Sequence, residues 1–180
     1  MIRSALIASM LATLSWSALA DAPAPAPQVS IAFVGDIMLA DTPGKVIQQG
    51  RDPFAPFASL LRKADIRVGN LECVVSTTGQ AEPGKPWTFR AHPRTLKVLQ
   101  RHMDVVSLAN NHWFDQRVTG IDETPPILRE LGIVPLGAAV REGPVFRVET
   151  VEKDGWKLGF VAITTRTNAP VREGMPVLPY

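Results

Sequence analysis

From residue 30 onward the chain alternates short apolar runs with helical stretches, and each of the first three runs ends in a polar cluster. Apolar runs at 30–34, 65–70, 105–109 and 133–136 read as buried strands. Between them, residues 56–64, 93–102 and 122–131 carry apolar side chains at helical spacing. Pro93 opens the second helical stretch at a position that tolerates proline. Pro125 and Pro126 are expected in the first turn of the third, because neither ring suits a helix interior. Gly132 is expected to cap that helix. Strand-helix-strand order of this kind favours a parallel sheet with right-handed crossovers, so the expected class is α/β. The end of the chain changes character: 145–151 and 156–163 read as a hairpin around Lys153-Asp154-Gly155.

The rest of the chain narrows the options. At 180 residues, with 46% hydrophobic and 20% charged, it suits one globular domain and not a disordered tract. A formal charge of +2 leaves no basic footprint for nucleic acid. A single Cys73 excludes an internal disulfide or a Cys-rich zinc module. Residues 1–20 have the pattern of an export signal: Arg3, an apolar stretch, then Ala18-Leu19-Ala20. Cleavage is expected after Ala20, giving an exported chain that is periplasmic or extracellular, with membrane retention if the segment stays. Residues 21–29 form an Ala/Pro-rich linker, extended by its prolines, and 30–180 form the domain. No dinucleotide or P-loop glycine motif is present.

Chemistry concentrates in the polar clusters. They are Gly35-Asp36-Ile37-Met38-Leu39, Gly69-Asn70-Leu71-Glu72, and Ala109-Asn110-Asn111-His112 with Asp115 beyond. In a parallel sheet the ends of successive strands gather at one edge, where ligands bind. Asp, Glu and Asn supply oxygen donors for divalent cations, and His adds a nitrogen or a proton. Two carboxylates brought together repel unless a cation lies between them. Each cluster also has a plain structural reading, as an Asx turn, a cap, or a loop satisfying its own backbone. Their shared position after strands favours the functional one.

These strings, in this order, resemble the CapA family of capsule-synthesis proteins, named for poly-γ-glutamate production. The most specific is Leu108-Ala109-Asn110-Asn111-His112. The pattern at 124–137 and Gly155-Trp156-Lys157-Leu158-Gly159-Phe160 in the closing hairpin extend the resemblance from Ile31 to about Thr164. The resemblance implies a calcineurin-like metallophosphatase-type sandwich, two sheets flanked by helices around a two-metal site. It assigns Asp36, Glu72 and Asn111 as metal ligands and His112 as the catalytic acid or stabiliser. Asn110 and Asp115 stand around them, against the substrate or behind the ligands. The cofactor implied is a divalent metal, Mn, Zn or Fe. The partners implied are an anionic capsule polymer or a phosphoester, and membrane-bound synthase or export components.

The sequence departs from that pattern in places. Met38 stands where metallophosphoesterases carry a ligand histidine, and Gln116-Arg117 where the family has an aromatic residue and glycine. CapA-like chains continue with further histidine motifs, so the domain is expected to be C-terminally incomplete and a weak or inactive hydrolase. A non-catalytic polymer-assembly component and an inactive fragment are the alternatives. His92 and His102 sit at helix ends. Trp87, Phe89 and Arg90 lie in a Gly/Pro-rich loop, 79–93, which either covers the site and contacts a polymer or packs its aromatics onto the sheet. Cys73 beside Glu72 reads as core, with a soft ligand as the alternative.

Overall fold

The structure is a computed structural model that describes residues 27–168 and 175–179. The export signal, most of the linker and residues 169–174 lie outside the described residues. Among the described residues are eight strands: β1 Ile31–Ile37, β2 Ile66–Leu71, β3 Val74–Val75, β4 Arg90–Ala91, β5 Val105–Ser107, β6 Val134–Leu136, β7 Glu149–Lys153 and β8 Trp156–Phe160. The helices are α1 Asp41–Gln48, α2 Ala58–Leu61, α3 Leu96–Leu99 and α4 Arg117–Glu130, with 3-10 turns at Ala55–Phe57 and Pro93–Thr95.

Strands β1, β2, β5 and β6 form one sheet in that spatial order, every pair parallel. The α/β class follows from this. One apolar cluster packs Ile47, Leu61, Leu96, Leu99 and Leu128 of the helices with Leu71, Val106 and Ile133. A second joins Ile66, Val68, Val105 and Leu136 to Phe160 of the hairpin. Period-two alternation puts Val105 and Val106 on opposite faces, so β5 is buried on both. Each such fully buried aliphatic side chain contributes about 1.5–3 kcal/mol.

The β7–β8 hairpin forms where Asp154-Gly155 predicts it. Both residues take positive φ, 48° and 82°, the conformation a two-residue turn needs to match strand twist. Gly132, at φ 74°, ends α4 as expected.

Several expectations need correction. Strand β1 does not stop at Gly35-Asp36 but runs through both to Ile37, and it is not the buried strand expected, since Phe33 to Asp36 are exposed at the sheet edge. Its register against β2 slips between Phe33 and Asp36, so β1 carries one extra residue there and Asp36 lands opposite Asn70. Helix α4 begins at Arg117, before residue 122, and Pro125 and Pro126 lie in its interior. The turn before them is fastened from outside. Thr124 Oγ1 accepts from Val75 N–H at 3.0 Å and lies 2.7 Å from the Gly120 carbonyl, while Ile121, Thr124 and Leu128 bury one face. Packing therefore outweighs the missing proline donors. The 56–64 and 93–102 stretches are shorter than their periodicity suggests, each a 3-10 turn followed by a single helical turn, α2 and α3. An additional helix, α1, holds Pro43 and Gly44 in its first turn and buries Gly44 and Ile47.

Candidate functional site

The three polar clusters meet at the C-terminal edge of the parallel sheet. Register places Asp36 beside Asn70, and Asn70 beside Ser107. The bulge in β1 makes the first alignment possible. Gly69 makes the second strand's approach possible: a Cβ there would come within 2.5 Å of Ile37 Cδ1 and 2.9 Å of Val34 Cγ2.

An amide ties the two carboxylates together. Asn70 Nδ2 donates to Asp36 Oδ1 at 2.8 Å and to Glu72 Oε2 at 2.5 Å. Its own carbonyl oxygen accepts from Asn110 Nδ2 at 3.0 Å, which fixes which way the Asn70 amide points. Asn110 also donates to the Leu71 carbonyl at 2.9 Å and accepts from His112 N–H at 2.9 Å. Burial, and after it the Asp36 carboxylate, pushes Glu72 above the ordinary carboxylate range.

His112 stands beside this pair. Its Nδ1 lies 2.7 Å from Asp115 Oδ2, and its Nε2 lies 3.8 Å from Glu72 Oε1. A carboxylate only accepts, so Nδ1 carries the proton and Nε2 is left as an acceptor in the neutral ring. The Phe89 ring packs on the imidazole with centroids 4.5 Å apart. Asp115, fully buried, gathers more than the histidine. Phe89 N–H donates to its Oδ2 at 2.6 Å and the Lys85 ammonium donates to its Oδ1. Lys85 also donates to the Asn111 carbonyl at 2.6 Å.

The residues singled out from sequence thus divide. Asp36, Glu72, Asn110, His112 and Asp115 are joined by hydrogen bonds or close ionic contact. Asn111 enters through its main-chain carbonyl and lines a cleft with His112. Asn70, which joins the carboxylates, and Lys85, which neutralises Asp115, complete the cluster. The order Asn-x-Glu after a strand hinted at the first; nothing in the sequence pointed to the second. His92 and His102 have structural tasks. His92 Nδ1 accepts from Arg94 N–H at 3.1 Å and caps a turn. His102 Nε2 lies 2.8 Å from Asp52 Oδ2, its ring stacked on Phe54. Cys73 is core: burial pushes its thiol up to about 12, so it stays protonated and unreactive.

The donor set is two converging carboxylates, Asp36 opposing the ionisation of Glu72. It is a sparse set. Among the described residues, no group of three or more His, Cys, Asp or Glu side chains gathers as a metal centre.

Two curated relatives are similar to part of this chain, the uncharacterized proteins y4sH and y4uA of Sinorhizobium fredii (strain NBRC 101917 / NGR234). They are 32% and 31% identical over 111 residues, covering 58% of this chain. The aligned region spans 23% of each relative, so those proteins are much longer than the part shared. Residues 30–178 match the family described as bacterial capsule synthesis protein PGA_cap, which takes in every cluster described above. The chain belongs to that capsule synthesis family, the CapA family.

Proposed function

We propose that this protein is an exported component of capsule-polymer synthesis or export whose sheet edge carries a metallophosphoesterase-like hydrolytic site. Membership of the capsule synthesis family supports the process. The signal-like pattern of residues 1–20 supports export. Among the described residues no helix is long and apolar enough to cross a membrane.

The observation that carries the hydrolytic reading is the placement of His112. A fully buried carboxylate holds its Nδ1, and its Nε2 faces Glu72 at the edge where Asp36 also lies. Asp115 orients the ring and sets its tautomer. Phe89 covers one face of the ring and limits its contact with water. His112 Nε2 is then positioned to hold or deliver a proton to a leaving oxygen, a contribution of about 10²–10⁴-fold. Asp36 and Glu72 would hold a divalent cation, with Asn111 as a further oxygen donor. When bound, the cation would polarise a phosphoryl oxygen and lower the pKa of water. The substrate class is a phosphoester or another linkage of a capsule polymer. A metallophosphatase-type sandwich is the fold this reading implies around the observed sheet.

Calorimetric titration of the purified chain with Mn²⁺ and Zn²⁺ tests the site. Binding should be weak, because among the described residues only two carboxylates converge, and should disappear in Asp36→Ala. Turnover of bis(p-nitrophenyl) phosphate should be slow and fall about a hundredfold in His112→Ala. The sparse donor set also favours a second reading, a polymer-binding assembly component without catalysis. Capsule-polymer binding that is indifferent to metal and to His112→Ala would establish it instead.

A further inference from the structure

We propose that Trp87 is the outer substrate platform of the cleft beside His112, and that it takes a saccharide ring. The cleft has a volume of about 420 Å³ and is lined by Trp87, Lys85, Asn111, His112 and Asn168 among others. Trp87 is 70% exposed, whereas Phe89, two residues on, is packed against the His112 ring. The loop therefore divides its aromatics: one supports the imidazole and the other faces water at the cleft.

The backbone around Trp87 is tethered. Glu82 N–H donates to the Asp115 carbonyl at 3.0 Å, the Lys85 ammonium binds the Asp115 carboxylate, and Phe89 N–H donates to that carboxylate at 2.6 Å. Trp87 thus lies on a strap anchored on both sides by the residue that orients His112. A backbone so held gives up little freedom on binding, which favours a preorganised contact. Large aromatic side chains left in water beside a polar cleft mark recognition surfaces.

The lining also selects the ligand. Among the described residues its one cation, Lys85, is already committed to Asp115 and to the Asn111 carbonyl. A polyanion would find Glu82 already paired with Arg117 and, among the described lining residues, no available ammonium. A sugar ring matches better: its C–H face stacks on the indole, and its hydroxyls can pair with the Asn111 and Asn168 amides. The inference rests on the cleft beside His112 being the substrate site.

The test uses the purified chain and the indole N–H resonance of Trp87, assigned by its absence in Trp87→Phe. Malto-, cello- and chito-hexaose are titrated in parallel with poly-γ-glutamate. At least one hexaose should shift the Trp87 resonance. By calorimetry, affinity for it should fall at least tenfold in Trp87→Ala and be largely kept in Trp87→Phe. Silence from all three hexaoses, equal affinity in Trp87→Ala, or a Trp87 shift caused by poly-γ-glutamate alone would overturn the proposal. Binding needs no turnover, so the two readings separate. Saccharide binding at Trp87 without phosphodiester cleavage upholds this inference while the hydrolytic one fails. Cleavage lost in His112→Ala with no saccharide binding does the reverse.

Discussion

Asp115 makes the point that one side chain can organise a whole site. It is fully buried, and its two oxygens receive the Lys85 ammonium, the Phe89 N–H and the His112 imidazole. Removing its counter-ion leaves a buried charge undercompensated. Lys85→Met should therefore lower stability by about 3 kcal/mol in urea unfolding, while removal of the exposed Lys157 should leave it unchanged within error. Glu72 works in the opposite direction. Its ionisation is opposed by burial and by Asp36, so its folded pKa is higher than its unfolded one. Such a group adds nothing below the ordinary value of 4.5 and weakens the metal-free fold as pH rises through the folded pKa. Glu72→Gln keeps an acceptor for Asn70 and removes the charge. It should raise stability at pH 7 by less than about 1 kcal/mol, given solvent screening, and the gain should vanish near pH 4. A gain that persists in acid would refute the repulsion argument. Asp52 shows the usual sign. Burial would raise its carboxyl, yet hydrogen bonds from His102, Phe54 N–H and Arg101 hold it below its ordinary value.

Among the elements, α4 is the one whose sequence argues against its structure. A helix with two interior prolines survives because its first half is fastened to β3. Thr124 accepts the Val75 N–H, and Gly120 lets the strand come close: a Cβ there would lie 2.3 Å from Val74 Cγ1. Thr124→Val leaves that buried N–H without its acceptor and should cost about 1–3 kcal/mol. Gly120→Ala forces a shift of β3 and should cost about 1–3 kcal/mol by overpacking. Thermal unfolding of the two variants checks both figures. If Gly120→Ala proved neutral, the close approach of α4 to β3 would be wrong. The bulge in β1 has a comparable role, since it is what carries Asp36 to Asn70.

At the scale of the whole molecule, the β1 edge of the parallel sheet has no strand paired on its outer side among the described residues. Strand β1 pairs on one side only, with β2, and Phe33 on it is 69% exposed beside Val34. An open, apolar edge invites pairing with another strand. The purified chain should self-associate as its concentration rises, measured by sedimentation velocity, and Phe33→Lys should suppress the association. Equal association in Phe33→Lys would place the contact elsewhere.

Local rules in the sequence were enough for the alternating strands, the parallel order, the Asp154-Gly155 turn, the Gly132 cap and the gathering of polar clusters at one edge. All of these depend on neighbours in the chain or on the period of apolar residues. The interior prolines of α4, the bulge that re-aims Asp36, and the Asn70 bridge between carboxylates depend on contacts between distant segments. So does the descent of Lys85 from the 79–93 loop onto Asp115, thirty residues away. Propensity and periodicity sum energies along the chain. These features arise across it, where burial and close approach outweigh the local preference of each residue.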